Sequence, residues 1–166
     1  MAKQTDRKKE EASSEFEEKV LYINRCATVT KGGRKFSFSA LILVGDGKGN
    51  IGFGFSKANE VSDAIRKGSE TARKNLFTFE REGTTIPHEV IVDFDGARLL
   101  LKPAKEGTGV VAGSKIRTVL ELAGIRDVIA KSLGSNNPIN QVHATIKALL
   151  SLKNRKQTFA DRGLPA

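Results

Sequence analysis

Apolar and polar side chains alternate from Arg34 to Val44. Phe36, Phe38, Ala40, Ile42 and Val44 share one parity, while Lys35, Ser37 and Ser39 open the other, which ends apolar at Leu41 and Leu43. A period of two, carried by aromatic and β-branched residues, predicts a strand with one face packed. The Gly32-Gly33 pair before it suits the central positions of a primed hairpin turn, which needs positive φ at both. Asp46-Gly47-Lys48-Gly49-Asn50 then returns the chain into a second run, Ile51 to Ser56. Upstream, Lys19 to Thr30 contains Val20, Leu21, Tyr22, Ile23 and Val29 and reads as a first strand, its pattern broken by Asn24 and Arg25. The three runs predict a meander.

The period then changes. Asn59 is expected to cap a helix with Glu60 in its first turn, and Val61, Ala64, Ile65, Gly68, Ala72 and Leu76 recur at helical spacing. Residues 80–88 are polar and hold Gly83 and Pro87, as a linker would. Val90-Ile91-Val92 and Leu99-Leu100-Leu101 flank Asp95-Gly96, a strong hairpin signal. After the glycine-rich stretch Glu106–Gly113, one helix face is predicted from Ile116, Val119, Leu120 and Ala123, stopped at Gly124. Asp127–Leu133 is a candidate strand. Asn137-Pro138 opens a last amphipathic helix through Ile139, Val142, Ile146, Leu149 and Leu150.

The predicted class is α+β, with an N-terminal β-β-β-α unit and a C-terminal β-β-α-β-α sandwich. The expected organisation is a disordered leader at 1–15, charged and nearly free of large apolar groups. A first domain follows at 16–80, a linker at 81–87, a second domain at 88–153, and a loose basic tail at 154–166.

Charge adds a partner class to this picture. The 166 residues carry a net charge of +9, with 39% hydrophobic residues, enough for a real core. Residues 19–81 hold 12 basic and 5 acidic side chains, whereas 1–18 are net acidic, so the excess lies around the meander. A polyanionic partner follows. Lys31, Arg34 and Lys35 stand together at the first turn with no acidic residue nearby in sequence, which favours phosphate contact. Arg66, Lys67, Arg73 and Lys74 form a second basic stripe on the helix. Asp63 and Glu70 compete for it, so solvated ion pairing and RNA contact are equal readings there.

Cys26 is the single cysteine, which leaves no intramolecular disulfide or multi-cysteine zinc site and fits a reducing compartment. No apolar run approaches the roughly 20 residues of a membrane span. A soluble cytoplasmic protein without catalysis, cofactor or metal is expected.

Four motifs invite sharper chemistry. Gly47-Lys48-Gly49-Asn50-Ile51-Gly52 matches G-x-G-x-x-G, but its glycines join two strands, whereas a dinucleotide fingerprint runs from strand into helix. Gly52-Phe53-Gly54-Phe55 resembles part of the RNA-stacking RNP1 motif. Ile51, Ser56 and Ala58 depart from it, so the phenylalanines are expected in the core. Gly107 to Lys115 has glycines ahead of a helix, for which phosphate contact and a tight structural turn both stand. His88 and His143 lack companions at metal or catalytic spacing.

The stretches TKGGRKFSFSALILVGDGKGNIGFGFSKANEV, EGTGVVAGSKIRTVLELAGIRDVIAKSLGSNNP and INQVHATIKALL closely resemble the bacterial family of small ribosomal subunit protein five, over roughly residues 17–152. The resemblance implies a structural constituent of the small subunit. Its first domain would be a relative of the double-stranded RNA-binding domain lacking the first helix, and its second an α/β domain with a left-handed crossover. It also implies binding of small-subunit rRNA near the mRNA path into the subunit, a role in subunit assembly, and contacts with ribosomal proteins four and eight, the former tied to decoding accuracy. No homo-oligomer is expected.

Carried over by position, the tip Thr30-Lys31-Gly32-Gly33-Arg34 would reach rRNA. With Arg25, Lys35, Lys57, Arg66, Lys67, Arg73 and Lys74 it makes the candidate RNA-binding set, and Gly109 and Arg117 would meet the partner protein. Ser56, Asn59 and Ser114 stand where the family more often has glycine, arginine and glycine.

Overall fold

The computed structural model describes residues 16–79 and 81–163; the leader expected at 1–15 lies outside them. The described chain divides into two compact units. One runs up to Asp46 and resumes over Gly52–Asn75; the other takes Gly47–Ile51 and the chain from Leu76 onward.

The first unit is a long hairpin under a helix. Strands β1 (Glu17–Thr30) and β2 (Gly33–Gly45) pair antiparallel from Glu17↔Gly45 to Thr30↔Gly33, with one register shift between Val20 and Tyr22. That bulge puts an extra residue, Leu21, on β1 and adds local twist. Strand β3 (Asn50–Ala58) begins in the second unit and ends in the first. Helix α1 (Val61–Lys74) follows, and Ala40, Ile42, Val44, Ala64 and Ala72 form the core, with Phe16, Ala58 and Ile65 packed against it.

The helix approaches the sheet through glycine. A Cβ on Gly54 would lie 2.1 Å from the Gly68 carbonyl oxygen, and one on Gly68 would lie 2.6 Å from Ile42 Cδ1. Ser56 Oγ, next along the same face, donates to the Ala64 carbonyl. Asn59 does not cap α1. The N-cap is Glu60, extended and without a side-chain hydrogen bond, because residues 59 and 60 turn the chain off β3.

In the second unit, β4 (Leu76–Thr78) is followed by the antiparallel pair β5 (Val90–Phe94) and β6 (Ala97–Pro103). Asp95 and Gly96 take φ of 43° and 80°, as a type I′ turn requires. Strand β7 (Val110–Val111), helix α2 (Ser114–Leu122) and strand β8 (Val128–Ser132) form a crossover between parallel neighbours. Helix α3 (Pro138–Leu150) lies on β5, β6 and α2. The strand orders are β1-β2-β3-β4 and β5-β6-β8-β7. Leu99, Leu101, Ile116, Val119, Leu120, Val128, Val142, Ile146 and Leu149 are buried. Leu150, expected on the apolar face of α3, is half exposed beyond that core.

Asn137 caps α3 as its sequence predicts, its Oδ1 accepting from the Ile139 N–H at 3.1 Å. The stretch at 81–87 is polar in sequence yet bound into the second unit. Ile86 is buried, and the Thr84 carbonyl accepts from the N–H groups of Arg126 and Asp127. The tail is not loose throughout: a short helix α4 (Arg155–Asp161) forms, and Lys153 reaches back to the Asp161 carboxylate at 2.8 Å.

Candidate nucleic-acid interface

Two antiparallel strands that outrun their helix leave a ribbon end in water. Thr30, Lys31, Gly32, Gly33, Arg34 and Lys35 are all exposed there. The turn differs from expectation in detail. Lys31 and Gly32 are its central residues, and neither has positive φ; the left-handed value falls on Gly33, at 141°. The Thr30 hydroxyl donates to the Gly33 carbonyl at 3.2 Å and closes the loop. Among the described residues no acidic group pairs with Lys31, Arg34 or Lys35. Three cations thus project together, their charge uncompensated. Further back along the ribbon, the Arg25 guanidinium lies 3.9 Å from the centre of the exposed Phe36 ring, which holds it in place.

The helical stripe is less available. Arg66 pairs with Asp63 at 3.2 Å. Arg73 pairs at 2.9 Å with Glu18, which also accepts from the Ser69 hydroxyl at 2.7 Å. Glu18 sits on β1, so its claim on Arg73 is not visible in the helix sequence. Lys67 and Lys74 are exposed without an acidic partner among the described residues, as is Lys57 on β3.

Phe53 and Phe55 do not fill the core. Phe55 is 48% exposed and Phe53 half-buried, because Gly54 and Ser56 occupy the parity that faces α1. The glycines exclude side chains from the helix seam, and the rings turn to the other face of the sheet.

The loop before α2 has a different centre from the one its glycines suggest. The buried Asp127 carboxylate accepts from the Gly109 N–H at 2.9 Å. Hydrogen bonds from Gly109 first, then Thr84, Gly107 and Thr108, hold its pKa below the ordinary carboxylate range, against the opposing effect of burial. Gly107 and Gly109, at φ of 86° and 75°, turn these amides onto Asp127. A phosphate would meet a carboxylate already in its place, so the loop is a structural turn. No signal local to the loop reveals this, since Asp127 stands 18 residues beyond Gly109.

Arg117 is exposed on α2 while its neighbour Ile116 is buried, and Gly109 is half-buried at the loop's inner edge. His143 stacks on Phe94 with ring centres 4.8 Å apart and planes 4° from parallel, and burial lowers its pKa. His88 Nε2 accepts from the Lys153 N–H at 3.2 Å. No helix among the described residues is long and apolar enough to cross a membrane.

Known proteins match most of the chain. The profile described as Ribosomal protein S5, N-terminal domain, matches residues 16–80, and that of the Ribosomal protein S5, C-terminal domain, matches residues 92–162. The chain is 69% identical over 149 residues to the small ribosomal subunit protein uS5 of Chlamydia abortus, covering 89% of this chain and 90% of that one. It is 66% identical over 158 residues to the protein of the same name from Protochlamydia amoebophila, covering 95% of each.

Proposed function

The chain belongs to the ribosomal protein S5 family, and from that premise we propose that it serves as a structural, non-catalytic component of the small ribosomal subunit whose β1–β2 hairpin tip docks on rRNA. One observation carries the reading: Lys31, Arg34 and Lys35 project from a turn with no acidic partner among the described residues. Such a tip contributes attraction for a polyanion while adding little to the stability of its own unit. Arg25, Lys57, Lys67 and Lys74 extend the basic surface, with Thr30, Gly32 and Gly33 shaping the turn. Arg66 and Arg73 can join it only by exchanging Asp63 and Glu18 for phosphate.

The second unit takes the protein-facing role in this proposal. Arg117 stands outward on α2 and Gly109 shapes the loop beside it, a surface for ribosomal protein four through which the chain acts on decoding accuracy. Contact with ribosomal protein eight, a position near the mRNA path and support of subunit assembly complete the proposal. The two-domain division, 16–80 for RNA and 88–153 for protein contact, belongs to it as well.

The test is a salt titration of rRNA binding. Each phosphate contact adds roughly 0.7–0.9 to the slope of log affinity against log salt. Replacing Lys31, Arg34 and Lys35 by glutamine lowers that slope by about 2–3 while the protein still folds. An unchanged slope places the RNA elsewhere, with the α1 stripe the next site to examine.

A further inference from the structure

The face of the first sheet turned away from α1 carries a second arrangement. Gly68 sits against Ile42 of β2 and against both Gly54 and Ser56 of β3, which places Ile42 beside that stretch of β3. On the opposite face Phe55, between Gly54 and Ser56, then stands beside Leu41, and the register of β1 pairs Tyr22 with Leu41. Tyr22, Leu41 and Phe55 therefore form a row across three strands. The two outer rings are 46% and 48% exposed, and Leu41 between them is 2% exposed. Two strand spacings separate the rings, about 10 Å.

Toward the tip on this same face come Lys57 on β3 and Asn24 beside Ser39, then Cys26 beside Ser37, and after them Lys35 beside Thr28. Lys35 and Lys57 have no acidic partner among the described residues. The acidic strand residue on this face is Glu17, at the far end, and Lys19 sits 3.3 Å from it. Exposed rings in line with uncompensated cations suit a ligand that offers flat apolar faces joined by negative charge.

We propose that this row is a binding site for unpaired RNA, in which Tyr22 and Phe55 each stack one base and Lys57 and Lys35 meet the phosphates leading toward the hairpin tip. The proposal rests on the rRNA reading above and adds the state of the RNA that is read. Base stacking on an aromatic ring tolerates any base, since each has a π-face. A duplex hides those faces in its own stack and offers the sheet only phosphates. The spacing of about 10 Å gives each ring its own base rather than one base clamped between two rings.

Tyr22 is the single tyrosine and the chain has no tryptophan, so tyrosine emission reports on this site alone. The whole protein is titrated with a labelled, unstructured RNA decanucleotide and with the same strand annealed to its complement. The single strand is expected to quench Tyr22 saturably, and the duplex to bind without quenching. Phe55→Ala and Tyr22→Leu should each weaken single-strand binding about 5- to 100-fold with an unchanged salt slope, and Tyr22→Phe should restore it. Lys57→Gln should lower the slope by roughly 0.7.

RNA that binds through the tip, as its salt slope shows, without altering Tyr22 emission overturns the stacking site and leaves the rRNA reading intact. Undiminished affinity in both ring variants does the same and points to a protein on this face. A chain that binds neither strand overturns both readings. Should Phe55→Ala fail to fold, Phe55→Leu keeps the apolar bulk and still removes the ring.

Discussion

At the scale of single residues, charge is used in two opposite ways. Asp127 is surrounded by donors, whereas Arg117 is presented to solvent. The Asp127 carboxyl has a lower pKa in the fold than in the unfolded chain, so the unfolded chain binds protons first as pH drops. Its contribution is present above the unfolded value of about 4 and is lost as pH falls through the folded one. Asp127→Asn should therefore lower the melting temperature at pH 7, with the gap to the parent protein narrowing as pH falls below the unfolded value. A constant gap would show that the carboxylate's charge is not what the loop uses. Arg117→Leu should change stability by less than about 0.5 kcal/mol, as outward substitutions usually do. On the proposed interface, a misreading reporter should nonetheless shift; a variant that melts several degrees early would make Arg117 structural.

Among elements, the seam between α1 and the sheet separates what was legible from what was not. The alternation along β3 was readable, but which parity faces the helix was not. Hydrophobicity alone turns Phe53 and Phe55 inward, and backbone contact at Gly54 and Gly68 reverses that choice. Gly54→Ala drives a Cβ into the Gly68 carbonyl and should cost at least about 2 kcal/mol, read from the midpoint of denaturant unfolding. Gly32→Ala, which meets nothing within 4 Å and needs no positive φ, should stay within about 0.5 kcal/mol. Equal losses in the two variants would refute the seam. Local signals fared better: Asn137-Pro138 and Asp95-Gly96 fix their own geometry within a few residues. Strands β4 and β7, three and two residues long, are too short to show a period. Glu18 with Arg73 and Asp127 with Gly109 join distant positions, which no window of sequence reveals.

For the whole molecule, the polar linker marks a boundary in composition but not in packing. Phe79 and Ile86 are buried, and Arg81 donates to the carbonyls of Gly47 at 3.3 Å and Gly124 at 3.2 Å. A fragment beginning at Leu76 keeps the two apolar side chains, whereas one beginning at Pro87 loses them. Burying a large aliphatic or aromatic side chain contributes about 1.5–3 kcal/mol, so the longer fragment should be the more stable by at least that amount. Comparing their thermal melts checks this. A shorter fragment equally stable would place the boundary at the linker, as composition suggests. The family's two domains were legible because both halves carry dense, local patterns.

The hairpin beyond the helix has a mechanical side. From Arg25↔Phe38 to Thr30↔Gly33 it runs six rows, about 20 Å of two-stranded ribbon. A flexure of some 5° at its root swings the end by roughly 2 Å over that length. The cations therefore ride on a compliant arm rather than on the core. Small misfits against a rigid neighbour are taken up as bending, and the packing under α1 is spared the strain.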